Sequence, residues 1–363
     1  MRKLEFGWYL PTDGDTTTFF DDDAKMEPSL ALFEEIITAA EAARFEYILV
    51  PVIPICWEAY VTSSYLAGRT KTIKPLIAAR PGYINPVLLA KMIATFDQIT
   101  GGRIAVNLIA GQNEAELLRD GVSYSKQQRY ALMDEEVSIL KALWTSAGPV
   151  DHVGTFHTLK GAWIEPKIFQ KPHPPFYLGG GSMDAWRLSA RHSDVHLFWG
   201  DTPERIADNI RDIKALAAEH GREEAIGFGM RLQICCRENE DEAWAAARQL
   251  VAMGTDATRA ELKEMTKTSQ ANIRVQELAD TFGELITPHL WTGITKVRSG
   301  AGIAVVGNPE QCAAQFQEFI DAGCHSFCLS GFPHAQEATR FNALVRPLIE
   351  QRNPDRCQAI AVA

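Results

Sequence analysis

Lys74-Pro75-Leu76-Ile77-Ala78-Ala79 is a short apolar run ending at Arg80-Pro81, and a second run, Arg103 to Ala110, follows a segment that opens at Asn85-Pro86. Leu89, Ile93 and Phe96 recur in that segment at the spacing of one helix face. This spacing predicts an amphipathic helix between two buried strands. Asn followed by Pro marks a capped helix start with Pro at the first helical position. Buried strands joined through a helix are parallel neighbours with a right-handed crossover.

The same unit recurs in both directions. Leu4 to Leu10, Tyr47 to Val52, Pro175 to Leu178, Val195 to Trp199, Ile226 to Cys236 and Ser326 to Ser330 bring the strand runs to eight. Leu30, Phe33, Ile37 and Ala40 trace another helix face, while Thr202-Pro203-Glu204 and Asn308-Pro309 repeat the cap. No Gly-x-Gly-x-x-Gly follows the first strand, so eight strand–helix pairs favour a closed (β/α)8 TIM barrel over an open doubly wound sheet. At roughly 150 residues per domain a chain of this size would hold two domains. The strand count instead assigns residues 1–363 to one barrel with insertions. One insertion, about 148–168, follows a helix around Gln127 to Leu143 and alternates like a hairpin from Val150 to Pro166. The other lies between strands seven and eight. There a helix near Asn239 to Met253 precedes a polar stretch from Gly254 to Glu284 and a run from Leu290 to Gly307, so 254–307 is expected to be a lid.

Composition bounds the function. With 46% hydrophobic, 23% charged and 9% aromatic residues the chain is globular, and its formal net charge of −10 disfavours nucleic acid and anionic membrane as partners. Seven cysteines, an odd number without CxxC spacing, read as free thiols of a reducing compartment. Glu5 interrupts any apolar run after Arg2 and Lys3, and no 18-residue apolar stretch follows, so the expectation is a soluble cytoplasmic protein. Nine histidines form no HExxH or HxH pair, and no metal is expected.

A barrel carries its chemistry where the strands end. Gly179-Gly180-Gly181-Ser182 lies between a strand and a helix beginning at Met183. Glycines admit a close ligand and helix-start N–H groups suit a phosphate, although a plain flexible turn reads the same way. Asn107 ends the fourth strand and could hold a hydroxylated ligand chain or tie down its own loop. Arg129-Tyr130, at the next helix start, is by composition more a surface pair than a site. Alternation in Met230-Arg231-Leu232-Gln233-Ile234 turns Arg231 and Gln233 to the barrel interior. An inward Arg calls for an anionic ligand or a buried structural ion pair. His334, after Gly331-Phe332-Pro333, is a proton-transfer candidate or a hydrogen-bonding loop residue.

Thr95-Phe-Asp-Gln-Ile-Thr-Gly-Gly-Arg103 running into Asn107-Leu-Ile-Ala-Gly111 resembles the bacterial luciferase-like flavin monooxygenases. His196-Leu-Phe-Trp199-Gly200-Asp-Thr-Pro-Glu204, Arg231-Leu232, Val297-Arg298-Ser-Gly-Ala-Gly302 and Leu329-Ser-Gly-Phe-Pro-His334 are similar to the two-component alkanesulfonate monooxygenases. The similarity runs from Trp8-Tyr-Leu-Pro-Thr12 to Arg346-Pro-Leu348. It implies a (β/α)8 barrel that takes reduced FMN from a separate NAD(P)H-dependent FMN reductase and uses O2 to oxygenate its substrate. For an alkanesulfonate the products are sulfite and an aldehyde. By resemblance, Tyr130, Gly181 and Ser182 hold the FMN phosphate, with Arg129 and Glu116 nearby and Asn107 toward the ribityl chain. Trp199, Arg231 and Arg298 surround the sulfonate, with Cys56 near the flavin and His334 beside the reacting centre. A homodimer or homotetramer is the family expectation.

Two departures matter. Arg231-Leu232-Gln233 replaces the family's Arg-Leu-His, and Gly331-Phe332-Pro333-His334 replaces Gly-Tyr-Pro-His. Gln cannot exchange a proton at neutral pH and Phe lacks the hydroxyl, so the anion clamp survives while the acid–base set is thinned. Pro54-Ile55-Cys56-Trp57 also makes one wall bulkier than the family's Gly-Arg-Ser-Cys. The expectation is a small anionic organosulfur substrate other than a simple linear alkanesulfonate, with Gln233, Phe332 and Cys56 at its walls. The alternatives are a monooxygenase of a sulfone or nitrogen heterocycle, a deazaflavin-dependent oxidoreductase, a non-catalytic flavin-binding barrel and a metal-dependent hydrolase. Catalysis through Cys56 ranks last, since no partner His is placed by sequence.

Overall fold

The structure, a computed structural model, describes residues 2–111 and 114–357. Eight parallel strands form its centre: β1 (Glu5–Tyr9), β2 (Tyr47–Val50), β3 (Lys74–Ala79), β4 (Ala105–Leu108), β5 (Phe176–Gly179), β6 (Val195–Trp199), β7 (Gly227–Cys236) and β8 (Ser326–Ser330). Each pairs with the next in chain order, and β8 pairs with β1, so the sheet closes as the (β/α)8 barrel expected from the sequence. The Lys74 to Ala110 segment forms two of these strands around the helix Pro86–Thr100. The three Xaa-Pro starts work as read: Asn85 accepts from the Val87 N–H, Thr202 from Arg205 and Asn308 from Gln311.

Strand alternation sorts the side chains into two cores. Outward residues such as Phe6, Trp8, Ile48, Val106 and Phe327 pack under the helices. Inward residues Tyr47, Leu49, Leu76, Ala105, Val195, Leu197 and Cys328 plug the barrel. Each Val, Leu, Ile or Phe among them contributes roughly 1.5–3 kcal/mol on full burial. The plug closes the barrel below the strand ends, leaving the mouth at the C-terminal ends of the strands, the end where a barrel carries its chemistry.

The first insertion is the expected hairpin, with Val150–Val153 antiparallel to Thr158–Ala162. In the second, the polar stretch after Gly254 forms two helices, Asp256–Met265 and Gln270–Phe282. No residue of Asp256–Met265 is buried, so no apolar stripe announces it. Arg259 and Lys263 instead share Asp280 on the neighbouring helix, at 2.9 and 2.7 Å. The insertion is also stitched into the barrel. Gln233–Cys236 of β7 pairs with Ala304–Gly307, which pairs antiparallel with Leu290–Trp291. No described helix is long and apolar enough to cross a membrane.

Candidate active site

Tyr9 ends β1 facing inward and forms the floor of the mouth. Burial pushes its phenol well above the ordinary range and the nearby Arg298 opposes this only partly, so it stays neutral. Arg231, in register with Trp199 on β6 and Cys328 on β8, places its guanidinium 4.8 Å from the Tyr9 ring centre. One of its nitrogens donates to the Ser330 hydroxyl at 2.9 Å and to the Leu232 carbonyl at 3.0 Å. It is only 7% exposed, and among the described residues no carboxylate pairs with it. Burial lowers its pKa, and Arg298 pushes in the same direction.

Arg298 comes from the second insertion and approaches the same ring, 5.8 Å from Tyr9 and 6.0 Å from Phe332. It too has no carboxylate partner among the described residues. Two guanidiniums lie over one neutral ring, with Asp13 within electrostatic reach of that ring but in an ion pair with neither of them among the described residues; an anion between them would offset their mutual repulsion. The insertion is held at two points. Arg274 makes a bidentate pair with Asp201, just beyond β6, at 2.7 and 2.8 Å. Asn272 on the same helix accepts from the Gly300 N–H at 2.8 Å, two residues beyond Arg298.

Gln233 faces inward as expected, but both ends of its amide are engaged. Its nitrogen donates to the Ala301 carbonyl at 3.1 Å and its oxygen accepts from Ser330. It is therefore a strut between Arg231's partner Ser330 and the Arg298 loop rather than a free ligand contact. Phe332 and Trp199 supply apolar walls, Phe332 stacked edge-on against Phe19 at 4.9 Å. Cys56 lies beside Thr12, and burial pushes its thiol up to about 11, so it is not a thiolate at neutral pH. His334 is fully buried, its Nδ1 2.8 Å from Asp15.

The second cluster surrounds the Gly-rich turn. Ser182 caps the helix Met183–His192, accepting from the Ala185 N–H at 3.3 Å, and its hydroxyl also meets Tyr130, whose pKa burial raises and this contact lowers. Gly180 has φ +146°, and a methyl group there would lie 2.9 Å from Ala185 and 3.6 Å from the Tyr130 hydroxyl. At Gly181 the nearest atoms are the backbone of Gln270 and Ala271, 3.8–3.9 Å from such a methyl. The start of the insertion helix Gln270–Phe282 therefore faces the start of Met183–His192 across the turn, and two helix N-termini present N–H groups to one space. Asn107 projects inward from β4, and its carboxamide has no hydrogen-bond partner among the described residues. Arg129 is tied to the carbonyls of Ala110 at 2.8 Å and Tyr124 at 2.7 Å, which braces the loop. Glu116 is paired with Arg80 at 2.5 Å, which places it in an ion pair of the β3 loop.

Thus the structure brings Trp199, Arg231, Gln233, Arg298, Phe332 and His334 to one side of the mouth and Tyr130, Gly181 and Ser182 to the other. Sequence reasoning missed Tyr9, Asp15 and the 269–271 helix start. Tyr9 was within reach, because alternation from Glu5 sets it inward. Asp15, 319 residues from His334, carried no local signal.

A sequence profile of the luciferase-like monooxygenases matches residues 4–326. Among solved structures, a riboflavin lyase with modified FMN and riboflavin is 17% identical with TM-score 0.84, the match covering 100% of this chain and 94% of that one. An EDTA monooxygenase from Chelativorans sp. BNC1 is 17% identical with TM-score 0.76, covering 97% and 94%. A long-chain alkane monooxygenase is 16% identical with TM-score 0.77, covering 100% and 94%. At these identities the likeness is one of fold. The profile match, spanning most of the chain, places this protein in the luciferase-like family, as a flavin-dependent monooxygenase.

Proposed function

We propose that the chain is the oxygenase of a two-component system, using reduced FMN from a separate NAD(P)H-dependent FMN reductase, and O2, to oxidise a small anionic organosulfur compound. The observation that carries the substrate class is the convergence of Arg231 and Arg298 on Tyr9 without a carboxylate between them. The turn fits the flavin phosphate: Gly180 and Gly181 leave a cradle that side chains would fill, and Tyr130 and Ser182 line it. The free carboxamide of Asn107 suits the ribityl hydroxyls.

Reduced FMN, when bound, supplies the electrons that activate O2. The chain's own residues do the rest. Arg231, fixed by Ser330, and Arg298, fixed through the insertion, orient the anion and neutralise it. Phe332, Trp199 and Phe19 exclude water from beside it. With Gln233 engaged as a strut and Phe332 lacking a hydroxyl, His334 is left as the side chain that holds or moves a proton. For a sulfonate the reaction is C–S cleavage to sulfite and an aldehyde. We place the enzyme in the cytoplasm as a homodimer or homotetramer.

The test is coupled turnover with an FMN reductase against sulfonates, sulfones and nitrogen heterocycles, scored for O2 uptake, sulfite release and a mass gain of one oxygen. Sulfite release supports desulfonation. Oxygenation without sulfite moves the substrate to another class, and hydride transfer without O2 uptake removes the oxygenase reading.

A further inference from the structure

His334 is wholly enclosed, yet only one face of its hydrogen bonding is accounted for. Asp15 Oδ1 lies 2.8 Å from Nδ1, and Asp15 Oδ2 accepts from the His334 backbone N–H at 2.6 Å. The carboxylate thus grips ring and backbone together and is itself 5% exposed. Nε2 is buried and has no protein partner. The ring packs against Phe332 at 4.7 Å and Tyr9 at 5.9 Å, the two rings beneath Arg298. An ionised carboxylate can only accept, so it requires a proton on Nδ1. That leaves Nε2 bare in the neutral ring and protonated in the cationic one. A buried nitrogen left without a partner costs about 1–3 kcal/mol.

We propose that Asp15 is a positioning residue for His334: it fixes the Nδ1–H tautomer and makes Nε2 the single nitrogen available to exchange a proton with bound ligand. This rests on the proposed oxygenase reading only in the identity of that ligand; the tautomer itself does not depend on it. The other groups facing the pair are few. Tyr9 is neutral, Arg298 lies across the Phe332 ring, and Glu337, one turn along the His334 helix, is held by Arg237 and Arg340. The indole N–H of Trp8, whose ring meets His334 edge-on at 6.3 Å, also lacks a protein partner.

The inference is tested on the full-length protein with Asp15→Asn, which keeps the size of the side chain and its acceptor for the His334 N–H. The carboxamide can turn its NH2 toward Nδ1 and so enforces the opposite, Nε2–H tautomer. Nitrogen-15 NMR of labelled histidine, with His334→Gln to assign the signal, should show an Nδ1–H ring in the wild type. In Asp15→Asn it should show an Nε2–H ring. With substrate identified, kcat should fall at least tenfold while KM changes less, and Asp15→Glu should restore part of it. An unchanged tautomer in Asp15→Asn overturns the positioning role whatever the reaction is. A flipped tautomer with unchanged kcat overturns the proton-exchange role. Normal NMR behaviour with no flavin-dependent turnover in the wild type leaves the tautomer result standing and removes the oxygenase reading alone.

Discussion

The two ends of the barrel interior are built on opposite rules. At the bottom, Glu5 accepts from the Tyr177 hydroxyl at 2.5 Å, Tyr47 meets Ser326 at 3.0 Å, and Lys74 donates to Gln170 at 3.3 Å. These polar groups have protein partners and serve the fold, although His325, just before β8, is buried with neither ring nitrogen bonded. At the mouth, among the described residues, no carboxylate pairs with Arg231 or Arg298, Asn107 lacks a partner and Nε2 of His334 is unclaimed. The bottom is built mainly of groups that satisfy one another, whereas the mouth gathers two cations that no carboxylate pairs.

Breaking the mouth should damage binding far more than folding. Arg231→Ala or Arg298→Ala removes charge-assisted hydrogen bonds of about 1.5–3 kcal/mol, so kcat/KM for the anion should fall roughly tenfold to 150-fold. Thermal melting should stay near wild type, because no protein ion pair is lost. Ser182→Ala removes a helix cap and, on the proposed reading, a phosphate contact. Losing the cap alone costs about 0.5–2 kcal/mol, and reduced-flavin affinity measured by anaerobic fluorescence titration should drop several-fold or more. Tyr47→Phe at the bottom should do the reverse, lowering stability by about 1 kcal/mol in urea unfolding while leaving kcat/KM unchanged. The smallest effect is with pH. Burial would raise the Asp15 pKa, but the charge and hydrogen bonds of His334 outweigh it and hold the carboxyl below its usual range. A depressed carboxylate contributes stability above its unfolded pKa of about 3.9 and loses it as pH falls through the folded value. The stability gap between wild type and Asp15→Asn should therefore be full at neutral pH and close only in acid below about pH 4, as followed by urea melts across pH.

The contrast also explains what was legible in the sequence. All eight strands could be read, because inward and outward faces are both apolar and the runs stand out between capped helices. The Gly-rich turn between strand and helix start was legible because its residues are contiguous, and the structure places Ser182 at the helix cap as that spacing implies. Gln233 was read correctly as inward but not as engaged, since its partners Ala301 and Ser330 come from elements far along the chain. Of the two helices in the second insertion, Asp256–Met265 has no buried residue to announce it and is joined to its neighbour by ion pairs, whereas Gln270–Phe282 buries Val275, Leu278 and Ala279. Asp15 escaped because a Thr-Asp-Gly-Asp turn looks like a loop until the barrel closes and sets it under His334.

The central claim, that the unpartnered groups at the mouth are reserved for reduced flavin and an anion, is tested most directly by anaerobic titration of reduced FMN into wild type and Ser182→Ala. Micromolar or tighter binding in the wild type, clearly weakened by the substitution, is the predicted result. No binding in the wild type, or equal binding in both proteins, would contradict it.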